Sequence, residues 1–117
     1  MNPLRPDAPP PAALALGRLR ESADSACRLL KALSNPDRLL LLCQLAQGEM
    51  RVGELEEQVG VLQPTLSQQL GVLRDEGLVN TRREGKNIYY CINSPEALAL
   101  LEVLYSQFCA TPTDSQA

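Results

Sequence analysis

Four cysteines and no histidine bound the covalent chemistry open to this chain of 117 residues. Cys27, Cys43, Cys91 and Cys109 are scattered, and no two of them form a Cys-x-x-Cys pair. A cysteine acts as nucleophile or metal ligand through its thiolate, which a nearby histidine, a second thiol or a local cation promotes. A thiol peroxidase or reductase finds few such activators here, so an enzyme is not expected. Free cysteine is also among the most buried residue types and often serves only as a small hydrophobe. Cys27, near Ala23 and Leu30, is expected to do that. Cys91, alternating with Ile92, is expected to be a structural or incidental exposed thiol.

A second concentration of functional groups is non-covalent. Gln63, Thr65, Ser67, Gln68, Gln69 and Arg74 follow one another with no acid until Asp75. Between them Leu66, Leu70 and Leu73 fall at i, i+4 and i+7, one buried helical face that leaves the polar residues on the other. Short hydrogen-bonding side chains of this kind read base edges in the major groove. An ordinary solvated helix face more often mixes acids with bases. Arg82, Arg83, Lys86 and Asn87 follow and could lie along phosphates, which a protein-only winged helix would leave unexplained.

These residues need elements to hold them. Val52–Val59 reads as a short amphipathic helix stopped by Gly60, and Pro64–Asp75 as the reading helix, with Gly77 as its C-cap. Leu78–Arg83 and Asn87–Ile92 are β-compatible runs joined by Glu84-Gly85-Lys86, where Gly85 permits a left-handed turn. Together they make a helix-turn-helix followed by a wing, in a fold that is mainly α with a small β-hairpin. Upstream, two helical pieces are expected, near Leu14–Glu21 and Ser22–Leu33. Ser34-Asn35-Pro36-Asp37 then starts a helix over Pro36–Gln47 that is apolar nearly all round and is closed by Gly48. Asn93-Ser94-Pro95-Glu96 starts the last helix, Pro95–Cys109, whose apolar surface exceeds one contact stripe and points to a second subunit. Two heads one helical turn apart would match a palindrome. Residues 1–13, with five of nine prolines, are expected to be a disordered tail, 14–109 the single domain and 110–117 a flexible tail.

Composition agrees with one helix-rich domain: 44% hydrophobic residues but only 3% aromatic, so Leu, Val, Ile and Ala must build the core. The formal charge of −3 and pI of about 4.9 argue against tight non-specific nucleic-acid binding. The bases cluster at the reading head, whereas Glu49, Glu54, Glu56 and Glu57 precede it, so modest, salt-sensitive affinity is expected. No signal peptide or membrane span is visible, which makes the cytoplasm the expected location, with thiols kept reduced.

The chain resembles the ArsR family of bacterial winged-helix repressors. The resemblance is carried by Ala32-Leu-Ser-Asn-Pro-Asp-Arg38, Leu66-Ser-Gln-Gln-Leu70, Leu73-Arg-Asp-Glu-Gly-Leu-Val79 and Arg82-Arg-Glu-Gly-Lys86 with Tyr90. It spans Asp24 to Cys109 and implies a homodimer through the first and last helices that binds double-stranded operator DNA. The reading helix would enter the major groove, and the Glu84–Asn87 wing tip would approach the backbone or minor groove.

Many family members sense metals through a Cys-Val-Cys element, which here aligns with Arg51-Val52-Gly53, and the histidines of the last-helix metal site are missing. No metal site and no cofactor are therefore expected. Within the family the chain is similar to the sulfide-responsive, persulfide-sensing subgroup. That resemblance implies a redox switch in which persulfide or polysulfide links Cys43 to Cys109 and the repressor leaves its operator, controlling sulfide detoxification genes. A metal-responsive or non-sensing repressor is the alternative.

Overall fold

Helix α1 runs unbroken from Leu16 to Leu33 in the computed structural model, which describes residues 15–109. The two pieces expected from the sequence are thus one helix. Ser22 reads locally as a cap, but no Gly or Pro interrupts Arg20–Asp24, and the helical ladder prevails over the competing turn. The expected tails, residues 1–13 and 110–117, lie outside the described residues.

At the end of α1 the Ser34 N–H and Oγ both donate to the Lys31 carbonyl, at 3.2 and 2.7 Å. Asn35 then caps α2 (Pro36–Leu45) by accepting from the Arg38 N–H at 3.0 Å, with Pro at the first turn and Asp37 near the positive helix end. α2 stops two residues earlier than its apolar run suggested. It is not covered all round either: Leu41 and Leu42 are fully buried while Leu40 is 52% exposed.

A two-residue strand, β1 (Met50–Arg51), precedes α3 (Val52–Val59). The sequence gives no sign of β1, because two residues carry no periodicity. α3 ends at Gly60, whose φ of 80° is the left-handed conformation that glycine adopts without penalty. The reading helix α4 (Thr65–Asp75) follows. β2 (Val79–Glu84) and β3 (Asn87–Ile92) pair antiparallel with Glu84 opposite Asn87, leaving Gly85 and Lys86 as the hairpin loop. The sheet order is β1-β3-β2, with Met50 opposite Tyr90. Ser94 caps α5 (Pro95–Phe108) by accepting from the Ala97 N–H at 3.0 Å, and Cys109 is the cap that ends it.

The core is aliphatic. Leu41, Leu42, Leu55, Leu66, Leu70 and Leu73 from α2, α3 and α4 are the largest fully buried side chains. Their common burial fixes α4 against α2 and α3, so that the remaining α4 face points away from the core. α1 contributes only Ala32 and Leu33 to the core, and α5 only Ala97 and Leu101. Leu16, Leu19 and Leu30 on α1 and Val103, Tyr105 and Phe108 on α5 are exposed in the single chain. No helix of the described residues is long and apolar enough to cross a membrane.

Candidate nucleic-acid interface and thiol pair

The polar face of α4 is not uniform. Gln63 Oε1 accepts from the Ser67 N–H at 3.1 Å and from Ser67 Oγ at 2.7 Å, so the two side chains close the start of the helix on each other. Such a cap satisfies one of the orphan amides of the first turn. Gln68 and Arg74 are exposed, and Thr65 and Gln69 are half-buried. Gln69 is held: its Oε1 accepts from Arg38 Nη1 at 2.9 Å. Arg38 was legible only as part of a family motif, and its hydrogen bonds reach residues on two other elements.

In the wing, Arg83, Lys86 and Asn87 are exposed near or at the hairpin tip. Arg82 is engaged elsewhere. Its Nε and Nη2 donate to the two Glu49 carboxylate oxygens at 2.8 and 2.7 Å, and Nη1 reaches Glu84 at 3.3 Å. Its guanidinium also lies 4.5 Å over the Tyr89 ring. This bidentate fork is the strong geometry for an arginine–carboxylate pair. The hydrogen bond from Arg82 holds the Glu49 carboxyl below its ordinary pKa, against a smaller opposing effect of desolvation. Glu49 therefore does not lie apart from the bases, as its place in the chain suggests. It sits on one of them, 33 residues away.

The thiols separate into distinct environments. Cys43 is half-buried on α2 and opens onto a cleft shared with Ala46, Leu98, Leu101, Glu102 and Tyr105, the last four from α5. Burial raises the Cys43 pKa, and the Cys109 thiol at the end of α5 raises it further. Cys109 is exposed, and its N–H donates to the Tyr105 carbonyl at 2.8 Å. All four cysteines are free. Cys27 is exposed, not buried as expected, because no other element of the single chain covers that face of α1. Cys91 is half-buried on β3 opposite Asn80. Among the described residues no three His, Cys, Asp or Glu side chains gather as a potential metal site.

Among the described residues, five helices, a hairpin wing and the polar outer face of α4 define the winged helix-turn-helix class. A family model for bacterial regulatory proteins of the arsR family matches residues 35–81. The biofilm growth-associated repressor of Xylella fastidiosa (strain 9a5c) is 52% identical over 92 residues, which cover 79% of this chain and 81% of that protein. The crystal structure of the transcriptional repressor BigR from Xylella fastidiosa matches at a TM-score of 0.79 and 49% identity, covering 84% of this chain and 100% of the other. The solution structure of a homodimeric winged helix-turn-helix DNA-binding domain, Mb0332 from Mycobacterium bovis, matches at a TM-score of 0.67 and 35% identity, covering 81% and 88%. The chain belongs to the ArsR family of bacterial regulatory proteins, and its relatives are transcriptional regulators rather than enzymes.

Proposed function

We propose that this protein is a dimeric cytoplasmic repressor that binds double-stranded operator DNA when reduced and leaves it when Cys43 and Cys109 become linked. The observation that carries the switch is the place of Cys43 on α2, in a cleft whose other wall is α5, the helix that Cys109 ends. DNA binding is supported by the exposed polar face of α4 beside Arg83, Lys86 and Asn87 of the wing, and by the repressor and DNA-binding relatives. A dimer through α1 and α5 is supported by the leucines of α1 and the Val103, Tyr105 and Phe108 surface of α5, left uncovered in one chain.

The order of events follows from exposure. The thiolate is the attacking species, and Cys43 holds its proton more tightly than an ordinary thiol. The exposed Cys109 thiolate therefore attacks the outer sulfur of a persulfide RSSH, giving a Cys109 persulfide and releasing RSH. Cys43 then attacks Cys109 Sγ and expels sulfide, so two thiols are oxidised to a disulfide as the sulfane sulfur is reduced. If both cysteines are first persulfidated, their condensation releases hydrogen sulfide and leaves a trisulfide. A direct disulfide needs Cα atoms about 4.4–6.8 Å apart, whereas each inserted sulfur spans a wider gap with less strain. The product of this chemistry fits control of sulfide detoxification genes.

No metal enters this scheme. The family's Cys-Val-Cys element is Arg51-Val52-Gly53 here, and no histidine is present to complete a site. The test compares operator binding by reduced and persulfide-treated protein, with intact-mass and peptide mass spectrometry on the same samples. Loss of binding together with a Cys43–Cys109 linked peptide is expected. Full binding by protein in which that peptide is quantitatively linked would overturn the reading.

A further inference from the structure

We propose that Arg38 is a positioning residue for DNA reading: it turns the Gln69 amide so that its NH2 group faces the major groove and reads the acceptors of guanine. This rests on the DNA-binding reading above and assigns a base class to one of its contacts. Arg38 lies in the first turn of α2, half-buried, and is fixed at three points. Its Nε donates to the Ala32 carbonyl at 2.8 Å and its Nη2 to the Lys31 carbonyl at 3.1 Å, both at the end of α1. Those two bonds aim Nη1 across to α4, where it donates to Gln69 Oε1 at 2.9 Å.

A guanidinium has donors only, so the group it meets on Gln69 must be the oxygen. The amide NH2 is then turned away from Arg38, and the amide plane is held by a planar fork anchored on main-chain carbonyls. Guanine offers N7 and O6 in the major groove, both acceptors, which two N–H donors on one nitrogen can meet. The adenine pair uses an amide oxygen and an amide nitrogen together, and at Gln69 the oxygen is drawn back to Arg38. Gln68, exposed beside it, is the residue left for an adenine.

Selection from duplexes with a randomised central tract tests this, using the parent, Arg38→Lys, Gln69→Ala and Gln69→Glu, with melting temperatures measured alongside. The parent should prefer guanine at one half-site position by about 5–150-fold, the scale of one good base contact, and Gln69→Ala should lose that preference alone. Arg38→Lys keeps the charge and loses the fork, so it should relax the same position and leave the others. A merely structural role would lower melting temperature or all affinities without singling out that base. Gln69→Glu leaves Arg38 intact and presents a carboxylate oxygen, so the position should turn to cytosine, whose N4 amine donates. This second variant keeps the test decisive even if Arg38→Lys fails to fold. The proposal is overturned, with DNA reading intact, if the base lost in Gln69→Ala is adenine or if a folded Arg38→Lys leaves that position unchanged. A parent that selects no sequence overturns both.

Discussion

Gln68 and Gln69 are neighbours of one type, yet one is exposed and the other is held by Arg38. That difference sets what each mutation should do. Gln68→Ala should cost roughly 1–3 kcal/mol on the selected operator and nothing on a scrambled duplex, the usual size of a bidentate base contact. Fluorescence anisotropy on both duplexes checks this, and an equal loss on the two would remove Gln68 from base reading. Cys43 makes a second residue-scale case. Its pKa is raised by burial first and by Cys109 second, so peptide-resolved alkylation should find it half-reacted at a higher pH than a free thiol. Cys109→Ser should lower that midpoint and not normalise it, since burial remains; an unmoved midpoint would mean the two sulfurs do not interact. The sign for stability follows. The folded chain keeps this proton where the unfolded chain has lost it, so the contribution is complete below the ordinary thiol range and declines as pH rises through it to the raised value. Residue type and spacing were enough to mark the polar face and the four thiols. They could not show that Gln63 and Ser67 cap each other, because local hydrogen bonding and base reading call for the same side chains.

The helices and the wing were legible wherever a period or a cap marked them. Leu66, Leu70 and Leu73 are buried as their spacing requires, and Asn35 and Ser94 cap the helices they precede. Leu70→Ala should therefore destabilise the domain by roughly 2–5 kcal/mol, the range for truncating a buried leucine; denaturant unfolding measures it, and a loss well under 1 kcal/mol would contradict the packing described. What escaped the sequence was pairing at a distance. β1 exists only because Met50 and Arg51 meet Tyr90 and Tyr89 of β3, and Glu49 then falls beside Arg82. The wing thus carries its own counter-ion. Glu49→Gln should release Arg82 toward phosphate, raising affinity for all duplexes and steepening the salt dependence by up to about one counterion. Salt titrations of both proteins on operator and scrambled DNA test this, and an unchanged slope would mean that Arg82 remains at its post without Glu49.

For the molecule as a whole, the aliphatic core accounts for the head, while α1 and α5 keep apolar surface that one chain does not cover. This is also where sequence reading was weakest. A helix whose burial depends on a second chain has the same pattern as one buried within its own, which is why Cys27 was expected inside and is exposed. Linking Cys43 to Cys109 joins α2 of the core to the end of α5, and so ties the reading head to that open surface. Closing a loop of this length should also stabilise the fold by about 4 kcal/mol in the chain-entropy account, so the inactive form should melt above the active one. A coupling of about 1–3 kcal/mol between link and operator suffices for a 5–150-fold response. The most direct measurement is persulfide-dependent release from operator DNA by four single variants, Cys27→Ser, Cys43→Ser, Cys91→Ser and Cys109→Ser. Cys43→Ser and Cys109→Ser should bind DNA and ignore persulfide, while the other two respond as the parent does; a Cys43→Ser protein that is still released like the parent would contradict the switch.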